Sequence, residues 1–244
     1  MTSNRTCPVC QKTPFTSYPL GRKDGFDFVG CQNCGSALIN PMLSQEQLDA
    51  FYAEAKPTAK PLPNPDGEIS AMRRKIGKAV DNGTGRSFLD VGCRQGYAVL
   101  AARQAGFSAK GIDSHRFYVD FCGTTHNAPD LFEHATAASY AEKGTHVNFI
   151  FCLEQLCEQA DPDSFIAALS KMLAPGGKIY MEEPNGNSFW TPRKFSNWRF
   201  PSPPVNFIYP SRQGVEILLK RHGLKIERAF FAWGAVMRLL IVKT

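Results

Sequence analysis

The chain is 244 residues long, which accommodates one full domain and a smaller appendage at roughly 150 residues per domain. A hydrophobic share of 43% and a charged share of 20% exclude the disordered and collagen-like classes, and no apolar run approaches the ~18 residues that a membrane span needs. The formal net charge of +6 permits nucleic acid or an acidic small molecule as a partner but demands neither, since like charges never run five in a row. Met1 to Thr6 carry no apolar signal core, so the expected location is cytoplasmic.

Residues 1–43 are turn-rich and hold Cys7, Cys10, Cys31 and Cys34 in two C-x-x-C pairs. In a cytosolic chain this spacing points to metal rather than to disulfides. Each pair makes a tight knuckle that aims two thiolates at one point, and two knuckles close a tetrahedron with no open position. The expectation is therefore a structural zinc site in a small module that could not bury enough surface to fold unaided.

Ser44 and Gln47 have capping-box spacing at the head of a helix ending near Ala55. Lys56 to Asp66 contains Pro57, Pro61, Pro63 and Pro65 and reads as a linker. Ile69, Met72, Ile76 and Val80 recur at helical spacing until Asn82-Gly83 stops them. We divide the chain into a module over 1–43, a helical linker over 44–85 and a main domain over 86–244.

From Arg86 onward strand and helix alternate. Strands are expected at Ser87–Val91, Ala109–Asp113, weakly at Leu131–Ala135, at Val147–Leu153 and at Lys178–Met181; helices are expected at Tyr97–Ala105, His115–Cys122 and from Asp161-Pro162 to Leu173. Such repetition gives a parallel sheet with helices on both faces. A further helix, Ser211–His222, precedes two strands, Leu224–Phe231 and Val236–Lys243, whose short connection makes them an antiparallel hairpin at the sheet edge.

Asp90-Val91-Gly92-Cys93-Arg94-Gln95-Gly96 links a strand to a helix, and Asp113 ends the next strand. Gly92 permits a tight turn, Gly96 a close helix start, and a carboxylate at the position of Asp113 can accept both hydroxyls of a ribose. Together they make a nucleoside-binding crevice at the carboxyl edge of the sheet.

With these motifs the chain resembles the class I S-adenosylmethionine-dependent methyltransferases over residues 68–244. Phe88 to Gly96 is similar to their first motif, Gly111-Ile112-Asp113 to their second, Leu153-Glu154-Gln155-Leu156 to the segment after strand four, and Leu173 to Lys178 to the turn before strand five. The N-terminal module resembles the zinc ribbon that precedes many such domains. The resemblance implies an α/β fold: a Rossmann-like, mostly parallel seven-stranded sheet with helices on both faces, a C-terminal antiparallel hairpin and a small zinc ribbon in front. It implies S-adenosylmethionine as cofactor beside the structural zinc, with Asp90, Gly92, Cys93, Gly96, Asp113, Ser114 and Leu153 against it, and a small-molecule methyl acceptor such as a sugar, a lipid or another metabolite. The sequence departs from the family where Arg94 replaces the middle glycine, Asn148 an acid and Gln155 a histidine.

The sequence forces no catalytic base; His115 and Glu154 stand near the crevice. For Arg94 we expect a negative φ, with the side chain lying along the following helix to solvent. Residues 186–212 carry Phe189, Trp190, Phe195, Trp198, Phe200, Phe207 and Tyr209 beside Arg193, Lys194, Arg199 and Arg212, with no acid. They read equally as an aromatic lid with a cationic rim for an anionic acceptor or as a loop that plugs the core. Two other functions compete. An RNA or protein methyltransferase would grip its substrate with Phe15, Tyr18, Phe26 and Phe28 among Arg22 and Lys23, and a non-catalytic scaffold would have Arg94 closing the pocket.

Overall fold

Val147–Leu153 forms the middle strand of a seven-stranded sheet, and its apolar run is explained by burial on both faces: Ile150 and Cys152 enter one core, Phe149 and Phe151 the other. The computed structural model describes residues 2–3, 5–55, 59–80, 83–198, 201–230 and 234–244; the features expected at Lys56, Pro57, Asn82, Arg199, Phe200, Phe231 and Ala232 lie outside the described residues.

The N-terminal part comprises β1 (Thr2–Ser3), β2 (Phe15–Lys23), β3 (Phe26–Cys31), β4 (Ala37–Asn40), α1 (Gln45–Ala55) and α2 (Pro65–Ala79). The alternating core follows as β5 (Ser87–Val91), α3 (Tyr97–Gln104), β6 (Ser108–Asp113), α4 (Arg116–Thr125), β7 (Phe132–His134), α5 (Ala137–Ala141), β8 (Val147–Leu153), α6 (Pro162–Met172) and β9 (Leu173–Pro184). The chain ends with β10 (Ile208–Tyr209), α7 (Arg212–Arg221), β11 (Leu224–Phe230) and β12 (Val236–Lys243).

Local chemistry sets the helix starts. Ser44 and Gln47 exchange side-chain to backbone hydrogen bonds of 2.9 and 3.2 Å. Asn64 accepts the Gly67 N–H, so α2 begins at Pro65, inside the stretch expected to be a linker. Asp161 accepts the N–H groups of Asp163 and Ser164 ahead of α6.

The large sheet has the order β11-β12-β9-β8-β5-β6-β7. One core layer packs α5, α6 and α7 against it through residues such as Tyr140, Ile166 and Leu218, and the other packs α2 and α3 through Ile76, Val99 and Ala102. The structure sets the expected hairpin at one edge of the sheet. β12 is inserted between β9 and β11 and pairs antiparallel with both, so the edge strand β11 runs in the direction of β9. The weak third strand shrinks to Phe132–His134 and β9 reaches Pro184.

The turn-rich module is a second sheet, ordered β1-β2-β3-β4-β10. Its last strand comes from the far end of the chain: Ile208 and Tyr209 pair antiparallel with Leu38 and Ala37. Phe195, Trp198, Phe207 and Tyr209 fill the same core as Cys7, Val9, Phe28 and Ile39, each large side chain contributing about 1.5–3 kcal/mol of burial. The boundary drawn at residue 43 thus runs between residues that share one sheet and one core.

Candidate functional site

β5 lies between β8 and β6, where the order of the parallel strands reverses, and the carboxyl ends of these strands open a crevice. Beyond Val91 the backbone turns through Gly92 at φ +76°, and the N–H groups of Gly92 and Cys93 both donate to the Ile112 carbonyl at 2.9 and 3.0 Å. Asp113, nearly fully buried, accepts the Arg94 N–H on Oδ2 and the His115 N–H on Oδ1, each at 2.9 Å. One carboxylate thereby ties the glycine loop to the end of β6.

The expected site residues take different positions around this loop. Asp90 is buried beneath Gly92; desolvation first, and the neighbouring Asp113 second, push its pKa up to about 8. Asp90, Gly92, Cys93 and Leu153 line a hollow of about 270 Å³, and Gly92 and Ser114 line one of about 550 Å³. Asp113 faces a third, of about 510 Å³, between them. The Cys93 side chain packs against Gly111 and Cys122, so its thiol belongs to the core; its hydrogen bond with Cys122 and its burial raise its pKa well above the ordinary value. Gly96, at φ +80°, makes room for Phe132 and Cys122 rather than for a ligand: a Cβ there would stand 2.7 Å from the Phe132 ring.

Arg94 contradicts the expected conformation. Its φ is +45°, and its side chain crosses the crevice instead of following α3: Nη2 lies 3.0 Å from Glu158 Oε1 and Nη1 3.5 Å from Glu154 Oε2. The Asp113 acceptor holds the Arg94 N–H in this left-handed position, and the two glutamates supply the charge that draws the guanidinium across. Burial raises the pKa of Glu158 above the ordinary carboxylate value, while Arg94 opposes that rise. Gln155 also covers the glycine loop, for a Cβ on Gly92 would meet its side chain at 2.0 Å.

The turn carrying Gln155 and Glu158 is held from below by Glu183, fully buried at the end of β9. It accepts the N–H groups of Gln155, Leu156 and Cys157 at 3.0, 2.8 and 3.2 Å. His115 faces the crevice with Nδ1 3.3 Å from Asp113 Oδ1 and its ring 4.4 Å from that of Tyr52 on α1. The sequence reading missed Leu48, Tyr52, Glu158 and Val205 as crevice wall, whereas Phe207, one of the aromatics of the expected lid, does line it. Only Glu158, four residues beyond Glu154, carries a local signal.

The aromatic segment divides between the two expected readings. Phe195, Trp198, Phe207 and Tyr209 plug the N-terminal core, whereas Phe189 and Trp190 are 88% and 69% exposed and Arg193 and Lys194 face solvent. Arg212 pairs with Glu216 on its own helix. In the module itself Phe15 and Phe28 are core residues and Phe26 packs against that core, so these aromatics serve packing, while Tyr18, 38% exposed, stands at the surface.

The sulfurs of Cys7, Cys10, Cys31 and Cys34 all lie within 4.8 Å of one another, with Cys7–Cys34 at 4.0 Å and Cys10–Cys31 at 3.9 Å. Tetrahedral thiolate ligation with bonds of about 2.3 Å sets sulfurs about 3.8 Å apart, so the donor set and its spacing fit a zinc ion. The main domain grips this cluster. Ser211 donates its hydroxyl to the Cys34 carbonyl and its N–H to Ser36 Oγ, and Arg221 donates to the carbonyl of Val9 between the first two cysteines.

A family model described as a methyltransferase domain matches residues 66–229, more than half of the chain. A ubiquinone biosynthesis O-methyltransferase of Methylococcus capsulatus is 27% identical over 135 residues, covering 50% of this chain and 56% of the relative. Another, of Pasteurella multocida, is 28% identical over 162 residues, covering 59% of this chain and 66% of the relative. The chain thus spans less than two thirds of the length of these curated relatives. In fold it is similar to a magnesium protoporphyrin IX methyltransferase from Synechocystis solved with bound SAM: TM-score 0.54, 13% identity, 84% of this chain and 100% of that one.

Proposed function

The chain belongs to the S-adenosylmethionine-dependent methyltransferases, and from that premise we propose that it moves a methyl group onto an oxygen of a small-molecule acceptor. Oxygen as the target is taken over from the relatives, both of them O-methyltransferases.

The observation that carries the reading is Asp113, a buried carboxylate locked by two backbone N–H groups at the switch point of the sheet and facing a cavity that shares His115, Gln155 and Glu158 with the one lined by Gly92. Its remaining lone pairs suit the two hydroxyls of a ribose. Ser114 and the apolar wall at Ala135 suit the adenine side, and Asp90, Gly92 and Leu153 the methionine side, with Cys93 contributing backbone. The bound cofactor supplies an electrophilic methyl on a sulfonium. The chain's part is to hold the acceptor oxygen in line with that methyl and to exclude water, since proximity provides much of the rate. A hydroxyl acceptor gives up a proton in the step, and His115, Glu154 and Glu158 along the crevice can take it.

In this division residues 1–43 carry a structural zinc on Cys7, Cys10, Cys31 and Cys34, residues 44–85 roof the crevice through Tyr52 and Leu62, and residues 86–244 hold the cofactor. The test is calorimetry with S-adenosylhomocysteine, metal analysis, and methyl transfer from labelled cofactor to a panel of hydroxylated metabolites, with tRNA as the competing acceptor. Absence of cofactor binding overturns the reading; transfer to tRNA alone replaces the small-molecule acceptor with RNA.

A further inference from the structure

Phe207 is hydrogen-bonded in two directions: its carbonyl accepts the Ile39 N–H of the cysteine module at 3.0 Å, and its own N–H donates to the Cys157 carbonyl of the crevice turn at 3.0 Å. The neighbouring Asn206 donates to Cys157 Sγ at 3.2 Å. On the module side the strap continues as β10 on β4 and ends at Ser211, whose hydroxyl is bonded to the carbonyl of Cys34. On the crevice side Cys157 belongs to the turn that lays Gln155 over Gly92 and Glu158 against Arg94. The strap residue Phe207 also lines the cavity wall beside Ser114.

We infer that the tetracysteine site is a regulatory site: metal held by its thiolates and cofactor held in the crevice strengthen each other's binding through the strap from Phe207 to Ser211. This rests on the two site readings above and goes beyond a stabilising role for the metal. Only the side-chain amide of Gln155 has to swing away for a ligand to reach Gly92, while the backbone of the turn 155–158 stays where Glu183 beneath it and the strap jointly set it. Without metal the four knuckle thiols lose their common centre, Cys34 no longer fixes Ser211, and the strap can leave both the turn and the cavity wall. A rigid strap favours one position of the turn, so each ligand meets a crevice or a knuckle already ordered by the other. Thermodynamic linkage then requires one and the same factor in both directions.

The experiment uses the full zinc-loaded chain. Zinc affinity is measured by competition with a chromophoric chelator, with and without saturating S-adenosylhomocysteine, and affinity for S-adenosylhomocysteine is measured by calorimetry on loaded and stripped protein. We expect each ligand to raise the affinity for the other by the same factor, about fivefold or more, and mutual weakening would overturn the inference. Should stripped protein unfold, amide exchange on loaded protein gives the answer: S-adenosylhomocysteine should slow exchange at Ile39 and Phe207 and across Cys31–Cys34. Equal zinc affinity with and without S-adenosylhomocysteine, or unchanged exchange at these amides, overturns the coupling while leaving both sites standing. Protein without metal, or without affinity for S-adenosylhomocysteine, overturns the corresponding site reading and the coupling with it.

Discussion

The side chain of Gln155 rests on Gly92 so closely that a Cβ at residue 92 would stand 2.0 Å from its Cδ. A cofactor that passes over Gly92 has to displace this amide. Gln155→Ala should therefore bind S-adenosylhomocysteine several-fold more tightly. Gly92→Ala, strained by about 1–2 kcal/mol at φ +76° and filling the same space, should bind it far more weakly. Calorimetry on both variants decides, and a Gln155→Ala variant with unchanged affinity would show that the amide already lies clear of the path.

Asp113 ties the glycine loop at Arg94 to the turn after β6 at His115 as well as facing the crevice. Asp113→Ala should weaken S-adenosylhomocysteine binding by about 1–3 kcal/mol, roughly five- to 150-fold, through lost charge-assisted hydrogen bonds. It should also lower the melting temperature, because the N–H groups of Arg94 and His115 lose their acceptor. Unaltered affinity in the variant removes Asp113 from the cofactor site.

Arg94 combines a left-handed backbone with a partly exposed ion pair. Replacing it with glycine relieves about 1 kcal/mol of backbone strain and loses a pair worth up to about 1 kcal/mol, so stability should hardly change. Arg94→Ala keeps the strain and loses the pair, and should melt lower than Arg94→Gly. Cofactor affinity should move by less than about tenfold in the glycine variant. Thermal melts of the three proteins without ligand give the order, and an alanine variant as stable as the glycine one would contradict it.

Asp90 and Glu183 are buried acids whose pKa values are pushed up to about 8, in both cases first of all by desolvation. A raised carboxyl pKa means that the native state keeps protons the unfolded chain has released, so stability should fall as pH rises from about 4 towards 8. A sulfonium and an ammonium near Asp90 favour its ionised form, as the charge of Arg94 already does, while Asp113 opposes its ionisation. Cofactor binding at pH 7 should therefore release protons and tighten as pH rises from 6 to 8. Calorimetry in buffers of different ionisation enthalpy measures the release; none, with pH-independent affinity, would rule out this role for Asp90.

The strands and the glycine loop were legible because local pattern determines them: the run Val147–Leu153 is apolar on both faces, and Asp90 to Gly96 has a turn chemistry of its own. Arg94 was misjudged because its conformation depends on an acceptor nineteen residues away and on glutamates beyond β8. The roof of the crevice was invisible for a related reason. Leu48 and Tyr52 sit on a helix whose own pattern does not reveal which surface it covers, and Phe207 reads as one aromatic among seven until β10 is seen on β4. The position of β12 inside the sheet likewise follows from pairing between distant strands, and hairpin patterning leaves it open.

The addition of β10 to the N-terminal sheet also imposes an order on biosynthesis. Ser36 and Ser211 lie 175 residues apart, and at 5–20 residues per second the ribosome needs roughly 10–35 s to travel from one to the other. Throughout that interval the emerging sheet presents the open edge of β4, and Phe28, Leu38 and Ile39 lack the aromatic residues that later cover them. The cysteines leave the ribosome long before the residues that enclose them. A nascent chain that meets metal early gains a clasp on this exposed edge while it waits for β10, and one that does not carries a sticky, unpaired strand through the whole interval.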